Sequence, residues 1–329
     1  MKMRRPEIVG CAHRQQTGDQ LIRGQLSGIL RSRMTAARLL ALSALFLILM
    51  GGGHAAPTAH SASAQPRRTL RLYVFDCGVL NVTPEGVERY HVTPAEVGET
   101  RMSVPCFLLA HPAGTLMWDL GVIPDSIVEV QPQGARSSVN PTVGAVVTRT
   151  LKSQLAQIGY SPGDITYFAI SHAHRDHSAN ANAFARAMWL VRPAEREFMW
   201  ADNNTRVDPS FYTELKSSTS VRLLTADEYD VFGDGRVVIK AAPGHTPGHQ
   251  VLIVRLASTG SVMLSGDLYH YPQERTLHRA PPDNEFDVRQ SAASRATVEE
   301  YLRKTKTRLW IEHDFAANAK LKKSPAYYE

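Results

Sequence analysis

The segment Ser171-His172-Ala173-His174-Arg175-Asp176-His177 limits this chain more than any other feature. Four side chains able to bind a metal fall within six residues, directly after the apolar run Ile165 to Ile170, which reads as a buried strand. Buried imidazoles need a partner for each ring nitrogen, and a bare cluster of them repels when protonated. Neutral imidazole with carboxylate is a ligand mix that zinc and similar ions favour. The chain must therefore fold so that a strand end delivers His172, His174, Asp176 and His177 into one cavity.

Three further segments offer the same chemistry at strand ends. Pro243-Gly244-His245-Thr246-Pro247-Gly248-His249 lies between two strand-like runs, and its glycines and Pro247 exclude a helix. His245, in the turn, is the better ligand. His249, which opens the next strand, suits a supporting role. Ser265-Gly266-Asp267 and Ile311-Glu312-His313-Asp314 each follow an apolar strand, the place where ligands gather in open α/β sheets.

The rest of the pattern suits two sheets packed face to face with helices outside, in one domain. Strands are expected over Leu70 to Phe75, Met102 to Ala110 and Gly114 to Trp118, an antiparallel start. Helix then alternates with strand: helices near 147–158, 179–187 and 193–200, strands over 237–241, 250–256 and 262–265, a helix from Val288 to Lys304, and a last strand Arg308 to Ile311. Val122 to Gly144, with Pro124, Pro132, Gly134 and Pro141, reads as a long loop forming a lid or substrate wall. Its Val122, Ile123, Ile127 and Val128 are expected to cover an apolar group.

Residues 1–64 read as a leader and 65–329 as the functional domain. The 12-residue apolar run Leu39 to Met50 is too short for the ~20 residues of a membrane span and fits a signal-peptide core. Arg31, Arg33 and Arg38 precede it and Ala62-Ser63-Ala64 follows, so cleavage is expected after Ala64, with a second site near Ala55-Ala56 and an uncleaved anchor as alternatives. Met34 is a plausible true start. A periplasmic or secreted location follows, without stable membrane association once the leader is removed. The leader also accounts for the charge: the formal +6 includes 8 Lys/Arg against 2 Asp/Glu in residues 1–64, leaving 29 of the 37 basic and 29 of the 31 acidic residues for the body. A neutral body without a basic, aromatic-studded run gives no reason to expect a nucleic-acid partner. Cys77 and Cys106 sit in apolar strand-like runs; one bridge is possible in an oxidising compartment, but buried free thiols are the expectation here.

With His172-x-His174-x-Asp176-His177, Gly244-His245-Thr246-x-Gly248-His249, Asp267 and His313 in that order, the sequence resembles the metallo-β-lactamase superfamily from about Leu70 to Asp314. The resemblance implies an αβ/βα four-layer sandwich of two mixed sheets with metals on one edge. It also implies that His172, His174 and His245 hold one ion, Asp176, His177 and His313 a second, with Asp267 between them and Asp119 supporting the His loop. Two divalent ions, zinc first and iron, cobalt or manganese also compatible, could share a water and deliver hydroxide to an acyl centre, with no Ser or Cys nucleophile. Asp176 and Asp267 are then catalytic as well as ligating.

Within that superfamily the chain is similar to the N-acyl-homoserine lactonase branch through Asp76-Cys77-Gly78, Val104-Pro105-Cys106, His111-Pro112, His177-Ser178-Ala179-Asn180 and Gly266-Asp267-Leu268-Tyr269-His270. Such lactonases place a Tyr three residues after the bridging Asp to hold the substrate carbonyl; here His270 occupies that position and is the third expected catalytic residue. The expected substrate is a small acyl compound, a lactone or ester. Competing readings are a β-lactamase, which usually has Cys or Ser at the Asp267 position; a glyoxalase II-like thioesterase, for which Lys320, Lys322 and Lys323 would be the basic grip; and a non-enzymatic metal-binding module.

Overall fold

The computed structural model describes residues 69–131, 133–202 and 204–329; the leader lies outside the described residues. Strands in chain order are β1 (Arg71–Val82), β2 (Met102–His111), β3 (Gly114–Trp118), β4 (Ala135–Asn140), β5 (Val143–Val147), β6 (Tyr167–Ala169), β7 (Met188–Val191), β8 (Val221–Leu223), β9 (Glu228–Asp230), β10 (Val237–Ala241), β11 (Gln250–Leu256), β12 (Gly260–Leu264), β13 (Arg308–Trp310) and β14 (Tyr327–Tyr328). They form two mixed sheets, β4-β5-β1-β2-β3-β6-β7-β8 with β14 on β1, and β13-β12-β11-β10-β9. The first sheet is antiparallel through β3 and parallel from β3 to β8.

Side-chain alternation along the strands sorts the core into three layers. Leu72, Val74, Leu109 and Trp118 meet Ile239, Leu252, Val254 and Leu264 in the dry seam between the sheets. The other face of the first sheet packs against the Leu151–Ala156 helix and the loops around it. On the outer face of the second, Val251, Ile253 and Met263 meet Val298 and Leu302 of the Val288–Thr305 helix. That helix starts on the Asp287 carboxylate, which accepts from the backbone N–H groups of Arg289 and Gln290.

Two expectations are corrected. Val122 to Gly144 is not an open loop: it holds a short helix, Asp125–Val128, and the β4/β5 hairpin, which adds an edge to the first sheet. The prolines suggested loop, but Val143, Ala145 and Val147 alternate into the core and Pro141 sits in the hairpin turn, where a missing N–H costs nothing. Cys77 and Cys106 are joined by a disulfide, with Cα atoms 5.8 Å apart, rather than being free thiols. β1 shifts register against β2 between Asp76 and Val79, and that irregularity brings Cys77 to Cys106.

Candidate metal centre

All four segments singled out above end on the same edge of the sandwich. β6 runs into the His172 to His177 loop, β10 into the turn with His245, β12 into Asp267, and β13 into His313. Two groups result: His172, His174, His245 and Asp267, and Asp176, His177, Asp267 and His313, all buried, each with its ligand atoms within 4.8 Å of one another.

Asp267 belongs to both, and its two oxygens divide between them. Oδ2 faces His245 Nε2 at 3.2 Å and His172 Nε2 at 3.5 Å. Oδ1 faces His313 Nε2 at 3.1 Å and His177 Nε2 at 3.2 Å. In the first group the imidazoles point lone-pair-bearing nitrogens at one another: His174 Nδ1 lies 2.9 Å from His172 Nε2 and 3.0 Å from His245 Nε2. Two neutral rings can share one proton, but three converging nitrogens cannot all be satisfied by each other. In the second group His177 Nε2 and Asp267 Oδ1 are buried without a hydrogen-bond partner. Donors so arranged fit divalent cations, which need convergent, unprotonated nitrogen and carboxylate oxygen.

The charge states agree with this for His172 and His174, whereas for His245 burial is outweighed by Glu285 and Asp267, which raise it above the usual histidine range. Burial holds His172 and His174 well below the usual histidine range, neighbouring cationic groups (His177 for one, Arg206 for the other) adding to the effect. For His177 burial is outweighed by Asp267, Asp176, Asp119 and Glu312, which raise it well above that range. Asp267, surrounded by histidines, stays ionised despite burial.

The outward nitrogens are fixed by partners that set each ring's orientation. His245 Nδ1 meets Glu285 Oε1 at 3.0 Å, and His313 Nδ1 donates to the Ser103 carbonyl at 2.8 Å. His177 Nδ1 lies 3.1 Å from Ser171 Oγ and 3.3 Å from Asp119 Oδ2. Asp119, expected to support the His loop, also accepts through Oδ1 from the Ser171 N–H at 2.6 Å, from a left-handed backbone at φ 54°. His249 is in neither ligand group. Its Nδ1 donates to the Ala242 carbonyl at 2.9 Å and its Nε2 accepts the Asp267 N–H at 3.0 Å, so it positions the shared carboxylate. Gly266 permits this approach, since a Cβ there would sit 2.6 Å from Ser171 Cβ and 2.7 Å from His249 Nε2, at φ +48°.

Three acidic residues that were not among the expected site residues lie against the histidine loops. Glu195, fully buried in the Pro193–Met199 helix, accepts from Ala173 N at 2.7 Å, Thr246 Oγ1 at 2.7 Å and Gly248 N at 2.9 Å, so one carboxylate ties the two histidine loops together. Glu285 orients His245 and accepts from Ser291 Oγ at 2.7 Å. Glu312 lies against His177 and Asp119, forming a third group of possible ligands, and burial beside Asp119 pushes its carboxyl well above the usual range.

His270 stands over the cluster with Nε2 3.3 Å from Asp267 Oδ2 and Nδ1 3.6 Å from Glu274 Oε1. Burial lowers its basicity, but Asp267 and Glu274 outweigh this and hold it at about 10. The Tyr90 ring lies beside it, tilted by 40°, with ring centroids 4.3 Å apart. A cavity of about 310 Å³ opens here, lined by His174, Asp176, His245, Asp267, His270 and His313 on its floor. Its apolar wall is Leu80, Met102, Val139 and Val143. The segment Val122 to Gly144 does line the cavity, but through Val139, Asn140 and Val143 and not through the four residues expected: Val122, Ile123 and Val128 are in the core and Ile127 is exposed outside the cavity. His111 is also remote from it, pairing with Asp234 at 2.9 Å.

A family model for the metallo-beta-lactamase superfamily matches residues 100–306, more than half of the chain. The chain belongs to that superfamily. Among curated relatives, N-acyl homoserine lactonase AttM of Agrobacterium fabrum is 27% identical over 267 residues, covering 79% of this chain and 98% of that protein. N-acyl homoserine lactonase AiiA of Bacillus thuringiensis subsp. kurstaki is 25% identical over 240 residues, 72% of this chain and 90% of its own. A solved N-acyl homoserine lactone hydrolase, with the product N-hexanoyl-L-homoserine bound at its catalytic metal centre, shares the fold at TM-score 0.65 and 23% identity, over 79% of this chain and 99% of that one. AidC, a dizinc quorum-quenching lactonase, shares it at TM-score 0.55 and 19% identity, over 79% and 94%.

Proposed function

We propose that this chain is a dinuclear metal-dependent hydrolase that opens lactone or ester bonds, with N-acyl-homoserine lactones as the leading substrates. The observation that carries it is the division of Asp267, one oxygen facing His172 and His245, the other His177 and His313. His172, His174 and His245 would hold one ion and Asp176, His177 and His313 the other, with Asp267 shared between them; zinc fits these ligands. Two such ions supply a water-derived nucleophile at neutral pH and polarise the acyl carbonyl. The protein's own groups do the rest. Asp176 reaches the cavity floor and can take up the proton released on attack. His270 is aimed into the cavity and donates to the acyl oxygen as charge develops there. Leu80, Met102, Val139 and Val143 receive an apolar acyl segment.

The relatives named as lactonases support the lactone reading, and two features favour it over the alternatives. Asp267 stands where lactam-opening members usually have Cys or Ser. Lys320, Lys322 and Lys323, the candidate thioester grip, do not line the cavity; Lys323 pairs with Asp76 at 3.4 Å and Lys322 lies over the Tyr328 ring. Export is part of the same proposal, and the Cys77–Cys106 disulfide supports it, because such bonds persist in oxidising compartments. The test compares wild type, His270→Ala and His270→Tyr on acyl-homoserine lactones, aryl esters, a glutathione thioester and a β-lactam. Lactones should be opened fastest, His270→Ala should lose roughly 10²- to 10³-fold in turnover with metal content unchanged, and Tyr should restore much of it. Rapid β-lactam or thioester hydrolysis with no lactone opening would overturn the substrate assignment.

A further inference from the structure

The cavity carries positive charge that opening a neutral lactone does not use. Arg89, Arg175 and Arg206 line it, while among the described residues the carboxylates in its wall are Asp176 and Asp267, both in the proposed ligand set. None of the three arginines forms an ion pair among the described residues. By contrast the buried Arg295 meets Glu274 at 2.6 Å. Divalent ions would add to this charge, so the arginines do not serve to neutralise the ligands.

Arg206 and Arg89 are held by hydrogen bonds, yet no carboxylate among the described residues pairs with any of the three: Glu285, Asp267 and Asp176 act on Arg206 only at longer range, and Arg89 lies 5.7 Å from the Tyr90 ring centroid. Arg206 Nη1 donates to the Asn284 carbonyl at 2.8 Å. Glu285, within its field, already gives one oxygen to His245 and the other to Ser291. Arg89 donates through Nε to the Gly86 carbonyl at 2.9 Å and through Nη2 to Thr142 Oγ1, which fixes it at the rim. Arg175 Nε is buried with no hydrogen-bond partner. A guanidinium presents a planar fork of donors that matches a carboxylate, and a partly enclosed, unpaired cation gains most from such a partner.

We infer that the cavity recognises a substrate bearing an anionic group, a carboxylate or its equivalent, on the acyl arm away from the bond to be cleaved, with Arg206 as its principal receptor beside Arg89 and Arg175. This rests on the lactone or ester reading and narrows it: the acyl arm is apolar along Leu80, Met102, Val139 and Val143 and charged where it meets the arginines.

The probes are hexanoate and adipate, equal in chain length with one and two carboxylates. The zinc-loaded protein is titrated calorimetrically with each, as wild type and as Arg206→Gln, Arg206→Lys, Arg89→Gln and Arg175→Gln. Both acids can place one carboxylate at the ions, so the ratio of affinities reports on the second. Adipate should bind about tenfold or more tighter than hexanoate to wild type, the strength of one charge-assisted hydrogen bond, and Arg206→Gln should bring the ratio toward one while Arg206→Lys keeps part of it. Equal affinities in wild type, or a preference unmoved by all of the variants, would overturn the inference. A parallel assay follows a neutral lactone and a matched lactone with a terminal carboxylate. A neutral lactone opened at least as efficiently as its charged counterpart counts against the anionic arm alone. Failure to open either, with the adipate preference intact, overturns the lactone reading and leaves the anion site standing.

Discussion

Replacing Glu195 by Ala should loosen the metal centre without touching a ligand. The carboxylate receives Ala173 N at 2.7 Å, between two candidate ligands of one loop, and Gly248 N at 2.9 Å and Thr246 Oγ1 at 2.7 Å from the other. Gly248 packs tightly against the Glu195 backbone, where a Cβ on it would lie 2.5 Å from Glu195 N. Each buried donor left unsatisfied costs about 1–3 kcal/mol. The three share one acceptor and the Thr246 hydroxyl can turn, so the sum falls short of additive, at roughly 3–5 kcal/mol. For a domain of this size that is roughly 6–20 °C in melting temperature. Metal affinity should fall by about 10- to 100-fold, as when other residues that support metal ligands are removed. Calorimetric melting with and without zinc, and competition for zinc against a chelator, read both effects. Glu195→Gln, which keeps one acceptor oxygen, should fall between Ala and wild type. A melting temperature within about 2 °C of wild type, together with unchanged zinc affinity, would refute the role given to Glu195.

Gly266→Ala should strip metal more than it destabilises the fold, because its Cβ would collide with Ser171 and His249, which flank the Asp267 loop. The cost of overpacking is about 1–3 kcal/mol, and bound zinc close to wild-type content would count against it. Opening the Cys77–Cys106 bridge, which spans 29 residues, should cost about 3–4 kcal/mol, or roughly 7–14 °C, by the chain-entropy estimate. Melting the Cys77→Ser/Cys106→Ser double variant beside the oxidised protein checks this, and superimposable melts would contradict it.

The convergent cluster of candidate ligands was legible in the sequence because its chemistry is concentrated there: His172 to His177 is one contiguous run, and His245, Asp267 and His313 each follow an apolar strand that announces itself by composition. The same strands gave the two-sheet layout. What stayed hidden was whatever depends on a partner distant in the chain. Glu195 and Glu285 are single acidic residues without a motif, Glu312 stands beside His313 with nothing to mark a role of its own, and only folding reveals that each lies against a histidine loop. The β4/β5 hairpin was masked by the prolines and glycine around it, so the segment expected to wall the cavity read as a loop and its wall residues, Val139 and Val143, were not singled out. The disulfide depends on an irregularity in β1 that no local pattern of Cys77 or Cys106 betrays.

A stepwise titration of metal-free protein with zinc, measuring bound metal and the rate of acyl-homoserine lactone opening on the same samples, tests the dinuclear centre most directly. If Asp267 joins two sites as its oxygens suggest, bound zinc saturates at two ions per chain and lactone opening rises to its plateau only as the second is filled. Saturation at one ion per chain, or two ions bound with no lactone opened, would contradict it.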